Sequence, residues 1–391
     1  MLSIYYLLHL PHHKREFLSF LYVASTMRTF AWSMLSSFMP ILILQMMQKQ
    51  GETYIYSLLV VILVFIALHV VAIITSFLCS FVTSRWGLKF AFLIAEFLVS
   101  IFFMLMPFCN SVVTLIANFM LLGVAGVFWW QTYITYFSEM GKVKEYGKEV
   151  GLAEFFGIMT GIIGPIIGSL IIRSYGSSVL YGISALVVVG SMFVIAFMED
   201  LEKLDSVTIK DVIYEMVHRK RDCIAFIGIG ADELLYTVVW PIFLFTILKN
   251  LLDLGIFTST VVLVTAVVAY FAGKMSDIVN KNFLARIGSG VVMVSWISKA
   301  FVLVPGLIFV LDSIQRIFMN FLYIPVKTVA LIHASQDNRM RYMNFREVSI
   351  RIGNVVALLI FFVIIYLGLP FWYIFIFGAI FALFPVVVQK R

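Results

Sequence analysis

Charge is scarce in this chain. Only 13% of its residues are Asp, Glu, Lys or Arg, where a soluble domain carries about 25%, so an ordinary water-soluble globule is excluded. Cysteine is scarcer still. Cys79, Cys109 and Cys223 are the only three. They are odd in number and lack metal-ligand spacing, which predicts neither a disulfide framework nor a zinc site. The chain also lacks a Gly-rich phosphate loop ending in Lys-Ser/Thr, a His-Glu-x-x-His pair and a Gly-x-Ser-x-Gly turn. That argues against ATP-driven pumping and hydrolysis, and we expect no enzyme, no cofactor and no bound metal. Residues 1–11 have a short apolar part with no basic residue before it, unlike a signal peptide. His12, His13, Lys14 and Arg15 follow, as suits an interfacial segment.

Apolar length is what the chain has in abundance. Hydrophobic residues make up 62% of it, and runs of about 20 of them recur, each long enough to cross a bilayer as a helix. Twelve spans are expected, near residues 17–46, 54–83, 88–108, 112–137, 150–172, 179–198, 223–248, 256–275, 283–304, 307–333, 345–367 and 371–388. The fold class is therefore an all-α membrane protein. The one long water-loving stretch, 199–222, divides it into bundles 1–198 and 223–391. Acidic residues lead that stretch (Glu199, Asp200, Glu202, Asp205) and basic ones close it (Arg219, Lys220, Arg221), an order that suits a helix dipole. Ser206 is the expected N-cap. Ile209, Val212, Ile213, Met216 and Val217 recur at helical spacing, so an amphipathic helix on the membrane surface is expected.

Orientation follows from the basic residues. With both termini placed in the cytoplasm, 20 of the 28 Lys and Arg fall on the cytoplasmic side, and only Lys49, Arg173 and Lys249 fall opposite. This asymmetry explains the net charge of +7 without nucleic acid. It places a multi-pass protein, read as a monomer, in a cell (plasma or inner) membrane, with the lipid bilayer and a small-molecule substrate as its partners.

The two halves repeat. The loop after the second span reads SFVTSRWGLK, and the loop after the eighth reads GKMSDIVNK. Glu139 and Lys148-Glu149-Val150 in the first half recur as Asp337 and Arg346-Glu347-Val348 at one common offset of 198. A parallel repeat of six spans is one way to build an alternating-access carrier. At these residues the chain resembles the major facilitator superfamily. That family's loop signature, Gly-x-x-x-Asp-Arg-x-Gly-Arg-Arg/Lys, keeps Arg85, Gly87 and Lys89 in the first copy, with Ser80 and Ser84 replacing its Gly and Asp. The second copy keeps Gly273 and Asp277 and loses the Arg. The resemblance implies twelve transmembrane helices in two six-helix pseudo-repeats. It also implies a gate near these loops, in which Arg85 and Lys89 contact acidic groups such as Glu139. Gly157, Gly161, Gly164-Pro165 and Gly168 of the fifth span resemble a glycine-proline motif associated with exporters of the antiporter type. Their packing reading stands beside it, because small residues every four positions let helices approach closely.

Charged side chains at the bilayer centre cost roughly 2.5–3.5 kcal/mol on insertion scales, so they face protein or a water path. Arg28 lies near mid-depth in the first span, with Trp32 on its face. Asp232 and Glu233 lie at similar depth in the seventh, with Tyr236 and Trp240 continuing the face. The resemblance puts spans one, four, seven and ten around a central cavity, so Arg28 is expected opposite the acidic pair. In the tenth span Asp312, Arg316, Asn320, Tyr323 and Lys327 follow steps of four, four, three and four, one helix face. Trp130 and Tyr133 of the fourth span are cavity residues or interface anchors. Asp232, Glu233 and Glu154 are the proton-coupling candidates; Glu96 is read as a latch to loop cations, Lys299 as a snorkelling side chain and His69 as a packing histidine.

The expected function is a secondary active transporter, with proton coupling and export left open. A non-transporting receptor or scaffold of the same fold, and a facilitative uniporter, are the alternatives. A scaffold's intramembrane charges should be paired and sealed, while a carrier's should line an open space. Substrate charge is undecided: Arg28, Arg316 and Lys327 suit an anion or zwitterion, whereas Asp232, Glu233 and the tryptophans suit a cation.

Overall fold

A computed structural model describes residues 12–140, 146–200, 205–278, 281–336 and 338–388. Side chains of 12–18, 138, 140, 146–154, 267–278, 281–282 and 335–336 lie outside the description. The described chain is helical, with no strand.

The first half begins with α1 (His12–Ser33) and α2 (Met39–Lys49). A single long span is expected here, but the helix breaks between them. Pro40 sits in the first turn of α2; it has no N–H to donate, and its ring would clash with the carbonyl four residues back. Next come α3 (Tyr54–Trp86), α4 (Leu88–Leu105), α5 (Val112–Met140), α6 (Tyr146–Tyr175) and α7 (Ser177–Ala196). Thr53 caps α3 by accepting from the Tyr56 amide, and Gly87, at φ 88°, makes the sharp turn into α4.

The connecting helix is α8 (Ile209–His218). Its cap is Thr208 rather than Ser206. The Thr208 hydroxyl accepts from the Asp211 amide while the Asp211 carboxylate accepts from the Thr208 amide, a capping box. Glu215, on the docked side of α8, bonds Arg341 at 2.8 Å and Arg219 at 2.7 Å. Ile209, Ile213 and Val217 are exposed.

The second half holds α9 (Lys220–Leu234) and α10 (Trp240–Leu248), joined by a π-helical turn at Leu235–Val239. Pro241 follows that turn as Pro40 follows the first break, so the leading span of each half is distorted for the same reason. Then come α11 (Leu251–Ile278), α12 (Lys281–Lys299), α13 (Pro305–Gln336), α14 (Arg339–Tyr366) and α15 (Trp372–Phe381). Among the described residues, eight helices are long and apolar enough to cross a membrane; the count of twelve stays an expectation.

Two seams join the halves: α3 against α14, and α6 against α11. Under the repeat, α3 corresponds to α11 and α6 to α14, so each seam is the other's counterpart. Within each half, glycines set how closely helices approach. A Cβ at Gly168 would lie 2.1 Å from the Met34 carbonyl oxygen, and one at Gly353 would lie 2.0 Å from that of Ile227. The motif residues divide accordingly: Gly164 and Gly168 press on the α1–α2 break, Gly161 meets Val262 of α11, Pro165 carries the carbonyl that faces Gly255, and Gly157 faces open space.

Candidate solute site

The polar stripe of α13 meets α9, its π turn and α12 in one buried cluster. Tyr236, on the π turn, donates to both oxygens of Asp312 at 3.1 Å and accepts from Arg316 Nε at 2.7 Å. Lys299 Nζ donates to Asp312 Oδ1 at 2.6 Å and lies 3.5 Å from the centre of the Trp240 ring. Asp232 receives Trp296 Nε1 at 2.6 Å on one oxygen and the Tyr323 hydroxyl on the other. Asp232 and Lys299 are 0% exposed and Asp312 2%.

The charges are unevenly answered. Lys299 and Asp312 satisfy each other. Asp232 has only neutral donors within hydrogen-bond reach. Arg316 binds a neutral hydroxyl through Nε, and its two Nη groups make no hydrogen bond among the described residues. Arg316, Asn320 and Tyr323 are half-buried, so the stripe opens on one side. Glu233 is exposed and has no hydrogen bond or ion pair to its carboxylate among the described residues. It is not turned to lipid, because it lies within electrostatic reach of Tyr323 on α13 and Arg346 on α14. It therefore lines the space these helices share.

The sequence profile of the Major Facilitator Superfamily matches residues 21–211. No curated protein sequence matches the chain. The fold superposes on the crystal structure of the human organic anion transporter MFSD10 (TETRAN), with a TM-score of 0.73 at 10% identity, covering 97% of this chain and 100% of that one. Residues 21–211 belong to the major facilitator superfamily, and the whole chain has the fold of such a transporter. It is a multi-pass membrane protein and a membrane transporter. At 10% identity the likeness to the human structure concerns the fold.

Several expectations for this major facilitator protein are corrected by its side chains. Arg28 does not face Asp232 and Glu233. It pairs with Glu96 of α4 at 3.1 Å and lies 4.4 Å from the centre of the Trp129 ring, all within the first half. Glu96 is therefore not a latch to loop cations. Trp32 packs on Phe102 and Phe103, and Tyr133 stacks between Trp129 and Phe137, while Trp130 is 48% exposed. Lys299 does not snorkel; it is the cation of the buried cluster. His69 reaches across the seam, where its Nδ1 accepts from Arg351 and faces Asn354, each at 3.2 Å.

The signature loop also acts differently. Lys89 donates through Nζ to the Ala196 carbonyl at 2.6 Å and through its amide to Asp200 at 3.1 Å. A Cβ at Gly87 would overlap the Asp200 carboxylate, so this glycine makes room for that contact. Arg85 is exposed beside Trp86. Neither base touches Glu139, which pairs instead with Arg339 of the second half. The side chains of Glu154 and Asp277, and the surroundings of Gly273, lie outside the description. Lys299, Trp296 and Arg346 were missed as site residues, although Lys299 and Arg346 were legible as basic residues within or beside a span. A cleft lined by Ile41, Gln48, Tyr54, Ile242, Phe245 and Lys249 holds none of the clustered charges.

Proposed function

We propose that this transporter carries a small organic anion, bound between α9, α12 and α13 and released by rocking of bundles 1–198 and 223–391 about the linker 199–222. The observation that carries the reading is Arg316. A guanidinium well inside the α13 span, held by Nε with both Nη groups unengaged, is a preset fork for a carboxylate. Tyr236 fixes its direction, and Tyr323 and Asn320 supply further polar groups on the same stripe. The half-open stripe and the unpaired Glu233 favour a carrier over a sealed scaffold. The human structure of like fold is named an organic anion transporter, which agrees.

Proton coupling belongs to the same reading through Asp232. Asp232 is buried with no cation bonded to it among the described residues, so taking up a proton there breaks no ion pair. Glu233 and Glu154 remain secondary candidates, and both termini are assigned to the cytoplasm by the basic asymmetry.

Proteoliposome exchange with labelled benzoate, succinate, tetraethylammonium and alanine tests the reading. Benzoate or succinate should exchange, and Arg316→Gln should lower the rate at least tenfold with the protein still folded. Asp232→Asn should leave exchange intact and remove its response to a pH gradient. Exchange of tetraethylammonium alone would overturn the anion assignment.

A further inference from the structure

A second arginine of the same half is left unanswered. Arg346 of α14 is 7% exposed. Among the described residues its guanidinium has neither hydrogen bond nor ion pair, and the ring of Phe226 lies 5.7 Å away. Glu347, its chain neighbour, is taken by Arg351, whose Nε and Nη2 reach its Oε1 at 2.8 and 2.6 Å. The other cations at this depth have answers: Arg28 has Glu96, Lys299 has Asp312 and Arg351 has Glu347. The nearest carboxylates, Glu347 and Glu233, act on Arg346 only through space, and a buried cation without a bonded counter-charge is costly, so helix packing alone does not account for Arg346. Nor are its nitrogens sealed. None of them is both shut away from solvent and without a hydrogen bond.

Its position is as informative as its charge. Phe226, beside Arg346, and Tyr236, beside Arg316, are both on the continuous stretch of α9 and its π turn. They are ten residues apart, about 15 Å at 1.5 Å per residue. The two arginines thus sit against different turns of that stretch. Arg346 lies seven residues along α14 from Arg339, the partner of Glu139 at the Lys- and Arg-rich, basic end of the molecule, about 10 Å at 1.5 Å per residue. Glu233, within electrostatic reach of Arg346, lies between the two. Its repulsion toward an anion keeps either arginine from becoming a trap.

We propose that Arg346 is a second anion-binding position, which takes the carboxylate of a small organic acid between Arg316 and the basic end. The proposal rests on the organic-anion reading of Arg316 and is tested by counting bound ligand. Equilibrium dialysis of the purified full chain with labelled benzoate, at fixed ionic strength, should give two benzoates per wild-type molecule. Arg346→Gln and Arg316→Gln should each bind one, and the double variant none. Arg346→Gln should unfold within about 2 °C of wild type, or higher, because it removes an uncompensated buried charge.

The outcomes separate the two readings. Two benzoates on Arg346→Gln would overturn the second position and leave the first intact. Two on Arg316→Gln, with one on Arg346→Gln, would overturn the Arg316 reading and keep this one. A wild-type protein that binds none overturns both. A fall of many degrees in the unliganded Arg346→Gln protein would show a structural role and overturn the proposal.

Discussion

The ammonium of Lys299 has one carboxylate, Asp312, and the rings of Trp240, Trp296 and Tyr236 around it, with no exposure at all. Removing one partner of such a pair leaves the other buried and unanswered, a loss of about 3–5 kcal/mol. Lys299→Met should therefore lower thermal stability strongly, and adding Asp312→Asn should recover most of it. A double-mutant cycle in detergent measures this, and strict additivity would show that the pair is uncoupled. At the other extreme of exposure is Asp211 of α8. Hydrogen bonds from the Thr208 side chain and backbone hold its carboxyl below the usual range. A depressed folded-state value means the cap contributes stability above the unfolded carboxylate value, near 4, and loses it as pH falls through the folded one. Protection of the α8 amides, corrected for the intrinsic pH dependence of exchange, should fall on acidification below about pH 4, and Asp211→Asn should remove that dependence.

At the scale of elements, the stripe on α13 was legible because helical spacing is local. Steps of four, four, three and four put five residues on one face wherever the helix goes. What the spacing could not say is which neighbour that face meets. The glycines of α6 show the same division. Their four-residue repeat announced close packing, yet only Gly164 and Gly168 are pressed on backbone, and Gly157 faces open space. Gly168→Ala should accordingly disrupt the α1–α6 contact, because the new Cβ meets a carbonyl rather than a flexible side chain. Gly157→Ala should be neutral or slightly stabilising through helix propensity. Thermal unfolding of the two variants, side by side, checks this. Equal losses would mean that the glycine pattern is not read through backbone approach.

For the whole molecule, the ion pair that ties the halves at the basic end is Glu139–Arg339. Along the same seam Asn344 donates to the Ser76 carbonyl at 3.0 Å, and Thr135 faces the Met340 sulfur at 3.7 Å. Closure at this end thus rests on a few polar contacts between α3, α5 and α14. If Glu139–Arg339 holds the gate, Arg339→Gln should expose the seam. With the three native cysteines replaced, Asn344→Cys should react faster with a water-soluble thiol reagent in the Arg339→Gln background than without it. An unchanged rate would place the gate elsewhere.

The sequence by itself determined that this is a helical membrane protein, and which few charges fall within its apolar spans. Apolar length, helical period and the distribution of Lys and Arg are properties of each segment, readable without knowledge of its neighbours. Tertiary structure alone decided the partners: Arg28 with Glu96, Lys299 with Asp312, Glu139 with Arg339, and Arg316 and Arg346 with no ion pair among the described residues. The physical reason is rotation. Successive residues turn by about 100° around a helix, so one residue of register carries a charge from one neighbouring helix to another. That register is set by glycine contacts and by distortion at Pro40 and Pro241, which act through packing across the whole bundle.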